Sequence, residues 1–162
     1  MNIFFLESEI DDCAKSHVDK HVVKMRVEYA QLACTAHHIM GTEKSTIPYK
    51  ETHKNHPSAI WTRESLSNYL YVVTLGLALC EEMRIRFGTI NQKTESVLEW
   101  CKINLPDIED KSMTTPKLAV PIDLMSMKNE NFNDSVNIYR ECYKTHKQPL
   151  HKWTNNVKPN WI

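Results

Sequence analysis

Apolar residues in the first quarter of the chain recur with the spacing of an α-helix. Their separations alternate between four and three residues, so they fall on one side of a helix with about 3.6 residues per turn. The series runs through Val18, Val22, Met25, Tyr29, Leu32, Ala36 and Ile39. Gly41 follows and suits a helix end, because glycine adopts the left-handed backbone found after C-termini. The pattern predicts an amphipathic helix, and no other feature constrains the fold as strongly.

A second predicted helix is apolar on most of its faces. It begins at Pro57 or Ser58 and ends at Gly88. A helix that is apolar nearly all round is typical of the buried centre of a domain. We therefore expect this helix to be the central one.

The rest of the chain adds two shorter helices and one long connection. Helical patterns cover residues 92–104 and 133–145. Prolines make the intervening segment 105–130 irregular, and they are Pro106, Pro116 and Pro121. No alternating pattern predicts a pair of strands. We expect a single all-α domain over residues 1–162, with about four helices, a buried central helix and long irregular connections.

Composition excludes several classes of protein. Twenty Lys and Arg balance twenty Asp and Glu, so the chain lacks the bulk positive charge of many nucleic-acid-binding domains. Three glycines form no glycine-rich phosphate-binding loop, and five widely spaced cysteines form no C-x-x-C motif. The longest apolar run, near residues 69–80, is too short to cross a bilayer, and the first residues do not resemble a signal peptide. We expect a cytoplasmic protein that is not bound to a membrane.

A polar stripe lies beside the apolar stripe of the first predicted helix. Its members also alternate in steps of four and three, and they are His17, His21, Lys24, Glu28 and Gln31. Such a boundary suits the wall of a cleft, where the side chains would meet a ligand. It equally suits a solvated helix shoulder with an ion pair between Lys24 and Glu28. Spacing alone leaves both interpretations open.

Four histidines form two pairs, His17 with His21 on this helix and His53 with His56 in the following loop. Two helical histidines four residues apart can bind one metal ion, and a loop histidine would add a third ligand. Because no H-E-x-x-H motif is present, a histidine–metal enzyme is only an alternative. We expect no metal and no other cofactor, and contact of the histidines with phosphate groups instead.

Basic side chains cluster in three segments that are separate from the acidic residues at 7–12 and 107–110. The last cluster interleaves lysines with Trp153 and Trp161. This combination suits phosphate contact with base stacking, and it equally suits surface lysines around tryptophans that close a core.

The segment D-K-H-V-V-K-M-R-V-E, from Asp19 to Glu28, resembles the first helix of the phage endonuclease V type pyrimidine-dimer DNA glycosylases. That family carries its catalytic glutamate seven residues after a histidine, as His21 and Glu28 do here. The start Met1-Asn-Ile is similar to the family's N-terminus, whose α-amine is the nucleophile. His56 is similar to a histidine before the family's long central helix. The motifs D-K-H-V-V-K-M and H-K-N-H-P also resemble small phage proteins of unassigned role.

The resemblance implies an N-glycosylase that acts on nucleic acid, with DNA expected before RNA and an AP-lyase step left open. Met1 and Glu28 would be the catalytic residues, and the cytoplasm would be that of the host cell if a phage encodes the chain. A non-catalytic phage binding or inhibitor protein on the same fold is the other alternative. The expected substrate- or phosphate-binding residues are Asn2, His17, His21, Lys24, His53, His56, Arg63, Lys152 and Trp153.

The sequence departs from the family at three positions where the family has arginines that grip and bend DNA. Asn2, Val27 and Gln31 occupy them here. The departures imply a weaker grip on duplex DNA. A modified base, a single strand, RNA or a nucleotide would fit such a site better than a pyrimidine dimer.

Overall fold

The computed structural model describes residues 1–89 and 92–162, and this part of the chain is helical without any strand. The expected all-α class is therefore confirmed. Short 3-10 turns occur at Ile122–Leu124 and Gln148–Leu150. The six α-helices of the described residues are α1 (Ile10–Ser16), α2 (Asp19–Ile39), α3 (Pro57–Thr62), α4 (Leu66–Phe87), α5 (Gln92–Ile103) and α6 (Phe132–His146).

The two long predicted helices differ from the structure at their N-terminal ends. His17 and Val18 lie between α1 and α2 in extended backbone, so α2 begins only at Asp19. The predicted central helix is divided into α3 and α4. Ser65 causes the division, because its side chain accepts a hydrogen bond from the backbone N–H of Asn68 and caps a new helix.

The core forms where α2 packs against α4, with α1 and α5 also packed on α4. Gly76 permits a close approach of α4 and α5, because a Cβ atom there would lie 2.8 Å from the Leu98 side chain. The N-terminal residues 3–6 are buried in the same core. No helix within the described residues is long and apolar enough to cross a membrane.

A buried arginine joins α4 to the junction between α1 and α2. The Arg86 guanidinium donates to the carbonyl oxygens of Lys15 and His17, at 2.8 and 2.7 Å. It also pairs with Glu82 at 2.8 Å and with Asp19 at 3.2 Å. Two carboxylates and two carbonyls therefore match one buried cation, which is the condition for keeping such a charge out of water.

The C-terminal tail docks on the same junction. The Asp19 N–H donates to the Lys152 carbonyl, and Thr154 donates to the Asp19 carboxylate through its hydroxyl and its backbone N–H. Asn155 adds a hydrogen bond to the Arg86 carbonyl. Burial raises the pKa of Asp19, but the hydrogen bonds from Thr154 and Arg86 outweigh it and hold that pKa below its ordinary value.

Removing the buried cation should destabilise the protein strongly. We expect Arg86→Ala to lower the free energy of unfolding by about 3–5 kcal/mol, because two carboxylates lose their buried partner. The measurement is urea unfolding followed by circular dichroism.

The matched control is Arg84→Ala, two residues away on α4. Arg84 pairs with Glu81 and Glu95 near the surface, where water screens the charges. Arg84→Ala should therefore lower the free energy of unfolding far less than Arg86→Ala does. Equal losses for the two variants would show that the Arg86 network does not hold the junction together.

Candidate active site

The buried N-terminal segment fixes the position of Asn2 against the long connection and α6. The Asn2 amide donates to the Ala119 carbonyl at 2.9 Å. Its side-chain oxygen accepts from the Tyr139 hydroxyl at 2.8 Å and from the Ile3 N–H at 2.8 Å. Asn2 was expected to bind substrate or phosphate. Its amide nitrogen and its amide oxygen instead form hydrogen bonds within the protein, so we assign Asn2 the role of anchoring the N-terminal segment.

Met1 and Glu28 lie together at the surface end of this segment. The α-amine of Met1 is 3.7 Å from Oε2 of Glu28, and the Asn2 backbone N–H donates to the same oxygen at 3.1 Å. Lys24, one turn earlier on α2, lies 3.1 Å from the other carboxylate oxygen. Glu28 is thus a largely buried carboxylate surrounded by three donors, which are the α-amine of Met1, the Lys24 side-chain amine and the Asn2 backbone N–H.

His56 lies near this pair at the start of α3. The Ser58 N–H donates to Nδ1 of His56 at 3.1 Å, which leaves the ring proton on Nε2. Burial lowers the pKa of His56, and the positive charge of the Met1 amine lowers it further, whereas Glu28 acts in the opposite direction. His56 is therefore a neutral imidazole with an N–H to donate, close to both Met1 and Glu28.

His21 lies one turn before Lys24 and is mostly buried. Its ring stacks on Phe4, with 4.3 Å between ring centroids, and its Nδ1 lies 2.6 Å from the Tyr143 hydroxyl. Burial, followed by the charges of His17, Lys147 and Lys24, lowers the pKa of His21 to about 3. It can meet a phosphate only as a neutral ring and not as a cation.

His17 is a core residue. It has no exposed surface, its Nδ1 lies 2.7 Å from the Cys13 carbonyl and its Nε2 lies 3.4 Å from the Tyr29 hydroxyl. The expected phosphate contact does not fit this position, because α2 starts after His17 and the ring turns into the core. Across residues 1–89 and 92–162, no three His, Cys, Asp or Glu side chains are grouped as they would be around a metal ion.

The loop before α3 is braced by Arg63. One Arg63 nitrogen donates to the carbonyls of Lys54 and Ala59, at 2.8 and 2.9 Å. His53 is exposed in this loop, with a left-handed backbone φ of 47°. Arg63 therefore supports the loop that carries His56, and His53 is free to approach a ligand from solvent.

The C-terminal candidates lie at the N-terminal end of α2, where the Asp19 N–H donates to the Lys152 carbonyl. Lys152 is exposed, whereas Trp153 is half-buried and donates its indole N–H to the Ser16 carbonyl at 3.0 Å. Trp153 packs against the main core, so the structure gives it the role of a tail anchor. The sequence left two roles open for the tryptophans, base stacking and closing a core. The position of Trp153 fits the second role better.

An open surface pocket of about 580 Å³ lies between α2, the 48–52 loop and the start of α5, and Glu28 does not line it. Val27 and Gln31 line it from α2. Val27 directly precedes Glu28 in the sequence, and Gln31 follows Glu28 by about one helical turn. Lys50 and Lys93 line it from the other elements. Its size and polar wall suit a small ligand such as a base with a phosphate.

Sequence reasoning missed two contributors to the site, Ala119 and Tyr139. Besides contacting Asn2, the Tyr139 hydroxyl accepts a hydrogen bond from the Ala119 N–H at 3.1 Å. Asn2 and Tyr139 are 137 residues apart, so no local spacing connects them. The sequence carried one signal, the helical spacing of apolar residues in α6, which predicts that Tyr139 faces the core.

The chain matches no family model, and no curated protein or solved structure is similar to it. The chemistry of the site therefore carries the functional inference. Within the described residues, that chemistry is a primary amine, a carboxylate and a neutral imidazole close to one another.

The buried histidines predict a loss of stability in mild acid. Burial, as the largest cause, lowers the pKa of His17 and of His37 to about 4 and that of His21 to about 3. Below pH 6.5 the unfolded chain binds protons that the folded protein does not accept. Stability should be complete above pH 6.5 and fall between pH 6.5 and 4, by about 1.4 kcal/mol per pH unit for each histidine.

Urea unfolding at a series of pH values measures this effect. In His21→Gln, the free energy of unfolding should change less steeply with pH, by the contribution of one histidine. The control His53→Gln should show the same pH dependence of stability as wild type, because His53 is exposed. A dependence that is the same in wild type and His21→Gln would contradict the assignment of a neutral buried ring.

Proposed function

We propose that the protein is an N-glycosylase that acts on a base in nucleic acid, with DNA favoured over RNA. The α-amine of Met1 is the nucleophile and Glu28 is the catalytic carboxylate. One observation carries the proposal, which is the 3.7 Å separation of the Met1 amine and the Glu28 carboxylate at the end of a buried N-terminal segment. The roles of the two residues come from the resemblance of residues 19–28 to the endonuclease V type glycosylases, and their proximity is what the resemblance requires.

The chemistry begins with transfer of a proton from the Met1 ammonium to Glu28, which frees the nitrogen lone pair. The amine attacks C1′ of the sugar, the glycosidic bond breaks, and its electron pair leaves with the base, which takes up a proton. The nitrogen then loses one of its two protons, and the sugar ring opens as O4′ leaves C1′ and takes up a proton, which gives a protonated iminium between Met1 and C1′. Water hydrolyses this iminium and restores the amine.

A lyase step can follow from the same iminium. Removal of a proton from C2′ shifts electrons toward the iminium and expels the 3′ phosphate, which breaks the strand. Glu28 is placed to accept such a proton, because it already lies beside the nitrogen. The lyase step is a separate outcome of the experiment below.

The neighbouring side chains fit supporting roles. His56 is a neutral N–H donor that can donate a hydrogen bond to the leaving base or to a phosphate oxygen. Lys24 carries a positive charge beside Glu28 and is well exposed, so it can exchange its partner for a phosphate. The pocket lined by Val27 and Gln31, two neighbours of Glu28 along α2, offers space for a base extruded from its stack.

The grip on the nucleic acid is weak in this proposal. Val27 and Gln31 are uncharged side chains on the cavity wall, and the chain has no net charge. A single strand, a modified base or an already distorted duplex therefore suits the site best, because less energy is needed to expose the base.

The decisive experiment is covalent trapping. Borohydride adds hydride to an iminium and fixes it as a stable amine. The intact mass of the wild-type protein should first establish that its Met1 amine is free. With borohydride present, this protein should cross-link to an oligonucleotide that contains an abasic site. Peptide mapping should place the cross-link on Met1. Glu28→Gln should reduce the trapping rate by about 100-fold or more, as expected for loss of a general base.

Glu99→Gln serves as the matched control, because Glu99 is an exposed carboxylate on α5. It should trap like wild type. No adduct from wild type, or an adduct unaffected by Glu28→Gln, would sink the glycosylase proposal. Nucleic acid binding that survives an N-terminal extension without any adduct would favour the non-catalytic binding protein.

A further inference from the structure

We propose that Cys34 and Cys101 form a redox-sensitive pair, which a peroxide converts into a disulfide between α2 and α5 of the folded protein. Neither residue takes part in the proposed glycosylase reaction, so this inference does not depend on that function. It assigns a reversible modification site to the part of the core that lies between α2, α4 and α5.

The two sulfur atoms already lie in contact. Sγ of Cys34 is 3.8 Å from Sγ of Cys101, although the residues are 67 positions apart in the sequence. A disulfide bond is about 2.0 Å long, so the sulfurs must approach by less than about 2 Å, which is within the reach of side-chain rotation. Among the described residues, no other two cysteine sulfurs form such a contact. The geometry therefore selects one pair out of five free cysteines.

A hydrogen bond makes the two thiols chemically unequal. With Cys101 as the donor, this bond lowers the pKa of Cys34 below its ordinary value, and it outweighs the opposing effect of burial. The same bond, together with burial, raises the pKa of Cys101. Because the thiolate is the reactive form, Cys34 is the thiol that attacks an oxidant first. Cys101 is then the resolving thiol, and it already lies against Cys34.

The backbone of Cys101 is held in place from α4 and α2. The Tyr69 hydroxyl donates to the Cys101 carbonyl at 2.8 Å, and Nε2 of His37 lies 2.9 Å from the same hydroxyl. Since the hydroxyl proton is used on the carbonyl, His37 donates to Tyr69. His37 follows Cys34 by about one helical turn. The Tyr69 side chain thus links α2 to α5 around the pair, and two groups held in contact react as though highly concentrated.

The 48–52 loop covers the pair on the side of the open surface pocket. Tyr49 packs against the cluster that contains both cysteines, and it also lines the pocket. Its carbonyl accepts from Nε2 of His38 at 2.9 Å, and its hydroxyl lies 3.4 Å from Oγ1 of Thr94 on α5. The Thr35 hydroxyl donates to the Thr52 carbonyl and accepts from the Thr52 N–H, both at 3.1 Å. A small movement of this loop therefore opens a path from the pocket to the buried thiols for a molecule as small as a peroxide.

The oxidation consumes one peroxide and releases two waters. The Cys34 thiolate attacks one oxygen of hydrogen peroxide, the O–O bond breaks, and the departing hydroxide takes up a proton. Cys34 is then a sulfenic acid. The Cys101 sulfur attacks the Cys34 sulfur and expels its hydroxyl group, which leaves as water with the proton of the Cys101 thiol. The two sulfurs lose two electrons in total and the peroxide gains them, and a dithiol reductant reverses the change by thiol–disulfide exchange.

The first experiment treats the folded wild-type protein with hydrogen peroxide, blocks the remaining thiols and maps the peptides without reduction. We expect one cross-linked peptide that joins Cys34 to Cys101, with a mass loss of about 2 Da that dithiothreitol restores. The urea midpoint of the oxidised protein should be higher than that of the reduced protein, because the bond restricts the unfolded chain.

Single variants test the order of the two steps. Cys101→Ser should stop at a sulfenic acid on Cys34, which dimedone traps. In Cys34→Ser, oxidation of Cys101 should be about tenfold or more slower, because its thiol is rarely ionised. Cys80→Ser is the matched control, since Cys80 is a buried cysteine of the same cluster on α4. It should form the cross-link like wild type, and circular dichroism checks that each variant folds.

The route through the 48–52 loop has its own variant. Thr35→Val keeps the shape of the side chain but removes both hydrogen bonds to Thr52, so the cross-link should form about fivefold or more faster. The control is Thr46→Val, because the Thr46 hydroxyl is exposed and bonds only within its own turn. Equal rates in Thr35→Val and wild type would overturn entry beside Tyr49.

Three results would overturn the pair itself. The first is a mixture of cross-links among all five cysteines. The second is a cross-link that appears only at urea concentrations that unfold the protein. The third is a urea midpoint that falls on oxidation, because α2 and α5 would then have to separate to form the bond. None of these results bears on the glycosylase proposal, which the borohydride experiment tests alone.

Discussion

The buried Arg86 guanidinium is the contact on which the arrangement of the molecule depends. A charge taken out of water is tolerated only when its hydrogen-bonding groups are matched, and here the partners come from α4, from the α1–α2 junction and from the start of α2. The C-terminal tail then closes over the same carboxylates. This network sets where α2 begins and, because a helix is rigid, where Glu28 lies two to three turns later.

The fold was predictable wherever packing follows a helical period. Burial of Val22, Met25, Tyr29 and Leu32 on one side of α2 agrees with the spacing, and α5 and α6 lie close to their predicted bounds. Breaks in that period were not predictable. Ser65 divides the central helix because its hydroxyl caps α4, and a serine within an apolar pattern gives no sign that it will do so.

The candidate site was predictable only in part, for a related reason. Residues that share one face of α2, such as Lys24 and Glu28, meet as their spacing indicates. His17 does not join them, because the helix starts after it. Asn2 and Trp153 looked like ligand-binding residues by type, but each uses its polar atoms on distant backbone or side-chain groups. Those contacts depend on tertiary packing, which a single sequence does not display.

The anchoring of Asn2 has a consequence for the order of events during synthesis. Asn2 leaves the ribosome more than a hundred residues ahead of Ala119 and Tyr139, which hold its side chain. Until those residues emerge, nothing fixes the amine at Glu28 except the early core. The N-terminal segment therefore gains its full set of contacts only after residue 139 has been made. The hydrogen bonds that join the two ends of the chain form when translation is nearly complete.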